Sequence, residues 1–360
     1  MRNLDITYTK AMGIMLMVLC HSAIGNGQVV DFVYMFHMPL FFFFSGYCLK
    51  AEYFDKPQVF VWKRVKGVYW PYLKWSVVFL LLHNVFFALN LYNGEIGYKG
   101  EGSQTYDVAD ITEKLQDIVL HMQGHEQLLG GYWFMRALLY GSLIAFGVLW
   151  LINFANTHIK AKPVYKLLAG GGILLTLCIW LNHAHHTLTV LYITPQDLTA
   201  AIFFIIGHTF RCIDLRKFRS YEMLAATLIV LIGSFFWPMA LNNSFYDNHR
   251  LLPYIMTAVL GTWAVYSWPW HRLQGHAATL IQFIGNNTLT ILTWHFLSFK
   301  LVSVLIIFMY GLPIERLAEF PVITDYAVQG WWVVYFFVAM TVTCAIAYCN
   351  RWIRSPWLKL

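Results

Sequence analysis

Charge is the scarcest property of this 360-residue chain. Only 12% of its residues are Asp, Glu, Lys or Arg, while 59% are hydrophobic and 18% aromatic, against roughly 25% charged in an ordinary soluble domain. That poverty excludes a water-facing globule. Period-two alternation is also missing: the apolar runs go unbroken for about 17 to 25 residues, where an outer-membrane strand would show about ten alternating ones. A β-barrel is excluded in turn. The six cysteines, Cys20, Cys48, Cys178, Cys212, Cys344 and Cys349, fall within apolar runs or at their predicted inner ends, with no paired spacing in outer loops. No disulfide framework is expected. The chain carries no internal repeat, and no small-residue cleavage site follows its first apolar run, which therefore reads as a retained helix rather than a leader.

What remains is an all-α, polytopic helical membrane protein. Ten spans are expected near 7–24, 29–49, 69–89, 131–151, 166–183, 193–210, 221–240, 252–269, 288–310 and 330–349, with ends uncertain by a few residues. The whole of 1–360 reads as one transmembrane domain. Its largest outer loop, about 90–130, contains an amphipathic stretch at Asp107–Met122, with Val108, Ile111, Leu115, Ile118 and Val119 on its apolar side, which suits a helix lying on the membrane surface. The loop is acidic, with Glu95, Glu101, Asp107, Asp110, Glu113, Asp117 and Glu126, and reads as a solvated face or a gate for a substrate.

Orientation follows from Lys and Arg, which concentrate on cytoplasmic loops. With the N-terminus inside, the inner segments hold Arg2, then Lys50, Lys56, Lys63, Arg64 and Lys66, then Lys160, Lys162 and Lys166, then Arg211, Arg216, Lys217 and Arg219, then Arg272, and finally Arg351, Arg354 and Lys359, whereas the outer ones hold Lys99, Lys114, Arg250 and Arg316. Both termini are thus expected in the cytoplasm. The net charge of +7 is explained by this inner rim beside anionic lipid, and no nucleic-acid partner is invoked.

Ionisable residues inside the apolar runs are the informative exceptions, since each costs about 2.5 to 3.5 kcal/mol at membrane depth. Lys10 and His21 share the first span, and eleven residues at helical pitch bring both to nearly one face, about 16 Å apart. The second span reads Phe36-His37-Met38-Pro39-Leu40-Phe41-Phe42-Phe43-Phe44-Ser45-Gly46-Tyr47. Pro39 breaks or kinks a helix there, and Ser45-Gly46 permits close helix approach. Lys63-Arg64-Val65-Lys66 precedes Trp70-Pro71-Tyr72, which fits either a positive-inside anchor or a phosphate site. The fourth span opens Gly130-Gly131-Tyr132-Trp133-Phe134-Met135-Arg136, and the ninth carries Gly285-Asn286-Asn287-Thr288, then His295 and Lys300.

Together these segments resemble the acyltransferase 3 family of integral membrane acyltransferases, especially its fucose 4-O-acetylase-like branch. The family pattern of a basic residue, ten others and a histidine matches Lys10 and His21. A phenylalanine-rich Ser-Gly motif matches Phe41 to Gly46, a basic segment ending in Pro-Tyr matches Arg64 to Tyr72, a Trp-Phe pair matches Trp133-Phe134, and a Gly-Asn segment before a histidine matches Gly285 to His295. Thr7 stands where many relatives have aspartate, and Gly67 where relatives often have a second arginine.

The resemblance implies transfer of an acyl group, usually acetyl, from acetyl-coenzyme A or a similar cytoplasmic donor to a hydroxyl of a sugar or cell-surface glycan, in a bacterial inner membrane. His21 and Lys10 are then the expected catalytic residues. Lys10, Lys63, Arg64 and Lys66 would bind the donor phosphates, and Trp133, Arg136, His37, Ser45 and His295 the acceptor. His21 would act as general base or as an acyl-accepting nucleophile. No metal is expected, since His183-Ala184-His185-His186 lacks a second ligand cluster. A secondary transporter using midplane His and Lys residues is the rival reading.

Overall fold

The computed structural model describes residues 3–96, 104–155, 162–188 and 191–353. Arg2, Lys99, Glu101, Lys160, Arg354 and Lys359 lie outside the described residues. Those residues form helices joined by short turns, with no strand among them beyond an isolated bridge between Leu188 and Ile193. In chain order the helices are α1 (Leu4–His21), α2 (Gly27–Tyr34), α3 (Pro39–Tyr47), α4 (Glu52–Asp55), α5 (Pro57–Arg64), α6 (Trp70–Ala88), α7 (Val108–His121), α8 (Trp133–Ala155), α9 (Pro163–Lys166), α10 (Gly172–Ala184), α11 (Pro195–Cys212), α12 (Ser220–Phe236), α13 (Asn248–Ser267), α14 (Gly275–Asn286), α15 (Thr288–Tyr310), α16 (Thr324–Tyr326) and α17 (Trp332–Ile353).

Local chemistry explains the boundaries. The side chain of Asn3 accepts from the backbone N–H of Asp5 and Ile6 to start α1, as a helix N-cap does. Asp107 and Asp110 exchange reciprocal bonds of 2.8 and 3.0 Å at the head of α7, so the amphipathic stretch after α6 is a capped helix. Pro39 is the first residue of α3, and residues 35–38 form the turn that separates it from α2. The second expected span is therefore broken at its proline, which cannot donate to a preceding turn but suits a helix start.

All ten expected spans fall on helices. Six stretches are long and apolar enough to cross a membrane by length and composition: Gly27–Tyr47, Pro57–Ala88, Gln127–Ala155, Pro163–Ala184, Thr288–Tyr310 and Thr324–Arg351. The other four expected spans lie on α1, α11, α12 and α13, which do not reach that standard, so the count of ten rests on the sequence. Large apolar side chains point outward, Phe308 at 86% exposure and Phe236 at 75%. Such faces suit lipid, not water.

The chain divides into two compact units. The first comprises Met1–Val30, Leu73–Tyr132 and His271–Leu360. Here α1 packs on α14 at Gly285, where a Cβ would collide with the Thr7 carbonyl oxygen, and α15 packs on α17 through a 2.9 Å bond between Ser303 Oγ and Tyr335 Oη. The second comprises Asp31–Tyr72 and Trp133–Trp270. In it α3 and α11 touch backbone to backbone. Gly46 faces the Phe204 carbonyl and Gly207 the Phe43 carbonyl, and neither leaves room for a Cβ. The close approach expected from Ser45-Gly46 is thus made, as small residues allow between membrane helices. Around it Phe43, Tyr47, Phe210 and Tyr266 enclose the buried Trp263.

Candidate active site

His21 occupies the last turn of α1, and His295 lies two turns into α15. Within the first unit their rings stack at 5.2 Å and 18°, with His21 Nδ1 3.0 Å from His295 Nε2. His295 has 0% exposure, while His21 is half-buried. On its far side His295 Nδ1 lies 2.9 Å from the Leu292 carbonyl and 3.2 Å from that of Ile291. A carbonyl only accepts, so Nδ1 of His295 carries the proton. In a neutral ring Nε2 then holds the lone pair, and the 3.0 Å bond runs from His21 Nδ1–H to it. The consequence is a defined tautomer at His21, whose own lone pair sits on Nε2.

The surroundings explain how the rings are held. Phe296 stacks on His21 at 4.9 Å and 21°. The narrow turn Gln127–Tyr132 lies on the same stretch of α15: a Cβ at Gly131 would come within 2.9 Å of Leu292 Cδ1 and 3.9 Å of His295 Cε1. Tyr132 Oη donates over 2.7 Å to Thr293 Oγ1, whose proton goes to the Leu289 carbonyl. The Gly-Gly-Tyr motif of the fourth span therefore seats a wall against the histidine pair. His295, expected among acceptor-binding residues, here supports His21.

The other expected site residues are placed as follows. Lys10 is half-buried in α1. The rest belong to the second unit. Arg64 stacks over Phe60 at 4.9 Å and Phe204 at 5.7 Å. Lys63 donates to Tyr53 Oη over 2.9 Å, and Lys66 is exposed. Arg64 directly precedes a wide π-type turn at Val65–Tyr69, a feature that favours functional positions and that hydrophobic periodicity did not disclose. His37 is buried, its Nδ1 2.9 Å from the Val33 carbonyl. Ser45 Oγ is buried with no hydrogen-bond partner among the described residues. Trp133 opens α8 at partial exposure.

Arg136 faces inward. Its Nη2 lies 3.1 Å from Asp197 Oδ2 and also bonds the Tyr192 carbonyl, and Asp197 in turn accepts from Thr194 N and Oγ1 at the head of α11. The arginine joins α8 to the α11 cap rather than reaching toward a membrane surface. His183, His185 and His186 stand exposed at the end of α10, and no three His, Cys, Asp or Glu side chains among the described residues are grouped to hold a metal.

One buried pair was not anticipated. His83 Nδ1 lies 3.1 and 3.2 Å from the Glu126 carboxylate and Nε2 2.9 Å from the Gln104 carbonyl, while the Asn84 side chain exchanges two 2.8 Å bonds with the backbone of Tyr106. Glu126, read with the solvated acidic loop, is 4% exposed. Burial pushes its carboxyl above the usual range, against the opposing bonds from His83. These contacts moor the 104–126 segment to the end of α6.

Searches of curated proteins and of solved structures return no match. The family model for an acyltransferase domain, that of the acyltransferase 3 family, matches residues 3–350. The chain therefore belongs to that family: it is an integral membrane acyltransferase.

Proposed function

We propose that His21 Nε2 takes the proton of an acceptor hydroxyl as that hydroxyl attacks the thioester carbonyl of an acyl-coenzyme A, moving an acetyl group to a sugar or cell-surface glycan. The bond from acceptor oxygen to acyl carbon forms, the carbon–sulfur bond breaks, and the proton passes through His21 to the departing thiolate. The observation that carries this reading is the 3.0 Å bond between His21 and a wholly buried His295, itself fixed by backbone carbonyls. A base so oriented is the part such a reaction needs, contributing about 10² to 10⁴ in rate. As Nε2 gains its proton, the resulting imidazolium still donates from Nδ1 to His295, so the positive charge forms against a preset acceptor.

Lys10, on the same helix as His21, supplies a positive charge toward the donor's anionic groups. The side-chain chemistry of Arg64, Lys63 and Lys66 equally suits phosphate. We place the protein in a bacterial cytoplasmic membrane with both termini inside, on the strength of the Lys and Arg distribution.

The test is purified protein in lipid nanodiscs with radiolabelled acetyl-coenzyme A and candidate surface glycans. Wild type should label a glycan, and His21→Ala, inserted normally, should not. Turnover retained by that variant would refute the role. Label that stays on the protein when the acceptor is withheld would identify His21 as the acyl carrier instead.

A further inference from the structure

Lys300 stands five residues beyond His295 in α15, at 3% exposure. A lysine near a helix end snorkels to the headgroups, but Lys300 lies near the middle of α15 and does not. Its ammonium donates over 2.9 Å to the Leu317 carbonyl and over 2.6 Å to that of Glu319. Ten further residues of α15 rise about 15 Å past Lys300 before the helix ends. The chain turns at Gly311, in a left-handed conformation at φ +61°. For Leu317 and Glu319 to meet Lys300, the segment Gly311–Glu319 must fold back down along α15 by most of that length.

This strap has no α-helix, only a tight 3-10 turn at Ile314–Ala318 between irregular ends, at the depth of a membrane span. Such backbone is tolerated only where protein buries it or where it lines a cavity. Here protein buries the end that meets Lys300. Leu317, Ala318, Val322 and Ile323 are buried, while Phe320 is half-exposed. The ends are tied as well: Arg316 bonds Glu319 and, over 2.9 Å, Asp325, and the Ile323 N–H donates over 3.2 Å to Tyr335 Oη. Every tie bears on Phe320. Its ring lies 4.6 Å from that of Phe296, which stacks on His21, and its Cζ would be 3.3 Å from a Cβ at Gly130.

We propose that Lys300 is a positioning residue that holds Phe320 as the acceptor-side wall of the His21 site. The inference rests on the reading of His21 as the base. A sugar ring presents a face of C–H groups that suits an aromatic side chain, whose bulk is apolar. The carbonyl bonds of Lys300 fix where that face stands relative to the imidazole.

Two readouts test the wall. The first is acetyl transfer to methyl α-fucopyranoside as probe acceptor, and the second is carbethoxylation of His21 by diethyl pyrocarbonate, read by mass spectrometry. Phe320→Ala should raise the acceptor KM and the His21 labelling rate about threefold to tenfold, the loss of one aromatic contact, with the donor KM unchanged. Lys300→Met should do the same, and Lys300→Arg, which keeps a donor for both carbonyls, should restore both values. Should Lys300→Met fail to fold, Phe320→Ala leaves the anchor intact and carries the test. An unchanged labelling rate in Phe320→Ala overturns the wall even if His21 is the base. A raised labelling rate without acyl transfer in wild type would keep the wall and overturn the base.

Discussion

Replacing His295 with phenylalanine tests the histidine pair directly. The ring is retained, so the stack on His21 and Phe296 should persist, but the acceptor for His21 Nδ1–H is lost. An unsatisfied donor in a buried setting costs about 1 to 3 kcal/mol. The imidazole can escape that cost by moving its proton to Nε2, which removes the lone pair from the nitrogen that acts as base. At 1.36 kcal/mol per tenfold, the active tautomer becomes scarcer by about 5- to 150-fold. The loss should appear in kcat and kcat/KM alike with the donor KM unchanged, the pattern of an interaction felt in the transition state. His295→Gln offers a carbonyl oxygen to Nδ1–H and should recover most of the rate. The assay is radiolabelled acetyl transfer from about pH 5.5 to 8.5, bracketing imidazole's ordinary titration. If His295→Phe turns over like wild type at every pH, His295 does not set the tautomer and the proposed base loses its support.

Two further perturbations separate structure from chemistry. Because burial raises the Glu126 carboxyl above its ordinary value near 4.5, its contribution to stability is whole below that value and declines as pH rises through the raised one. Glu126→Gln keeps a neutral partner for His83, so its melting temperature should gain on wild type as pH rises, and parallel melting profiles would refute the assignment. Arg136→Met strands Asp197 in a site with 0% exposure, a loss of about 3 to 5 kcal/mol. If thermal denaturation shows no loss and the acceptor KM rises instead, Arg136 belongs to the binding site after all.

Most of the fold was legible because a bilayer imposes long apolar runs that few soluble folds contain. Pro39 marked a helix break and Gly46 a close approach, each through a backbone constraint that acts within a few residues. His21 and His295 were named as candidates, and Lys300 noted beside them, because ionisable side chains are costly where they stand. Their pairing was not legible. His21 and His295 are 274 positions apart, and no local period relates α1 to α15. Glu126 misled for the converse reason, since an acidic loop gives no local sign that one carboxylate turns inward to a histidine 43 positions earlier. The ion pair of Arg136 was hidden in the same way, its partner Asp197 lying 61 positions away.

A histidine in the orienting position has a physical logic in this setting. Catalytic imidazoles are commonly oriented by a carboxylate that accepts from Nδ1–H. At membrane depth that carboxylate would bring its own desolvation cost of about 2.5 to 3.5 kcal/mol. His295 accepts the same proton while remaining neutral, and its second nitrogen is satisfied by carbonyls one turn back in its own helix. The drawback is a weaker hold on the imidazolium, since bonds to charged acceptors are roughly twice as strong as neutral ones. Thioester chemistry tolerates that weakness: a thiol titrates at about 8.5, so the departing thiolate needs little help from an acid. What the reaction demands is an oriented lone pair at the moment the alcohol attacks. A neutral imidazole locked by a second, buried imidazole supplies it without adding a charge to the apolar interior.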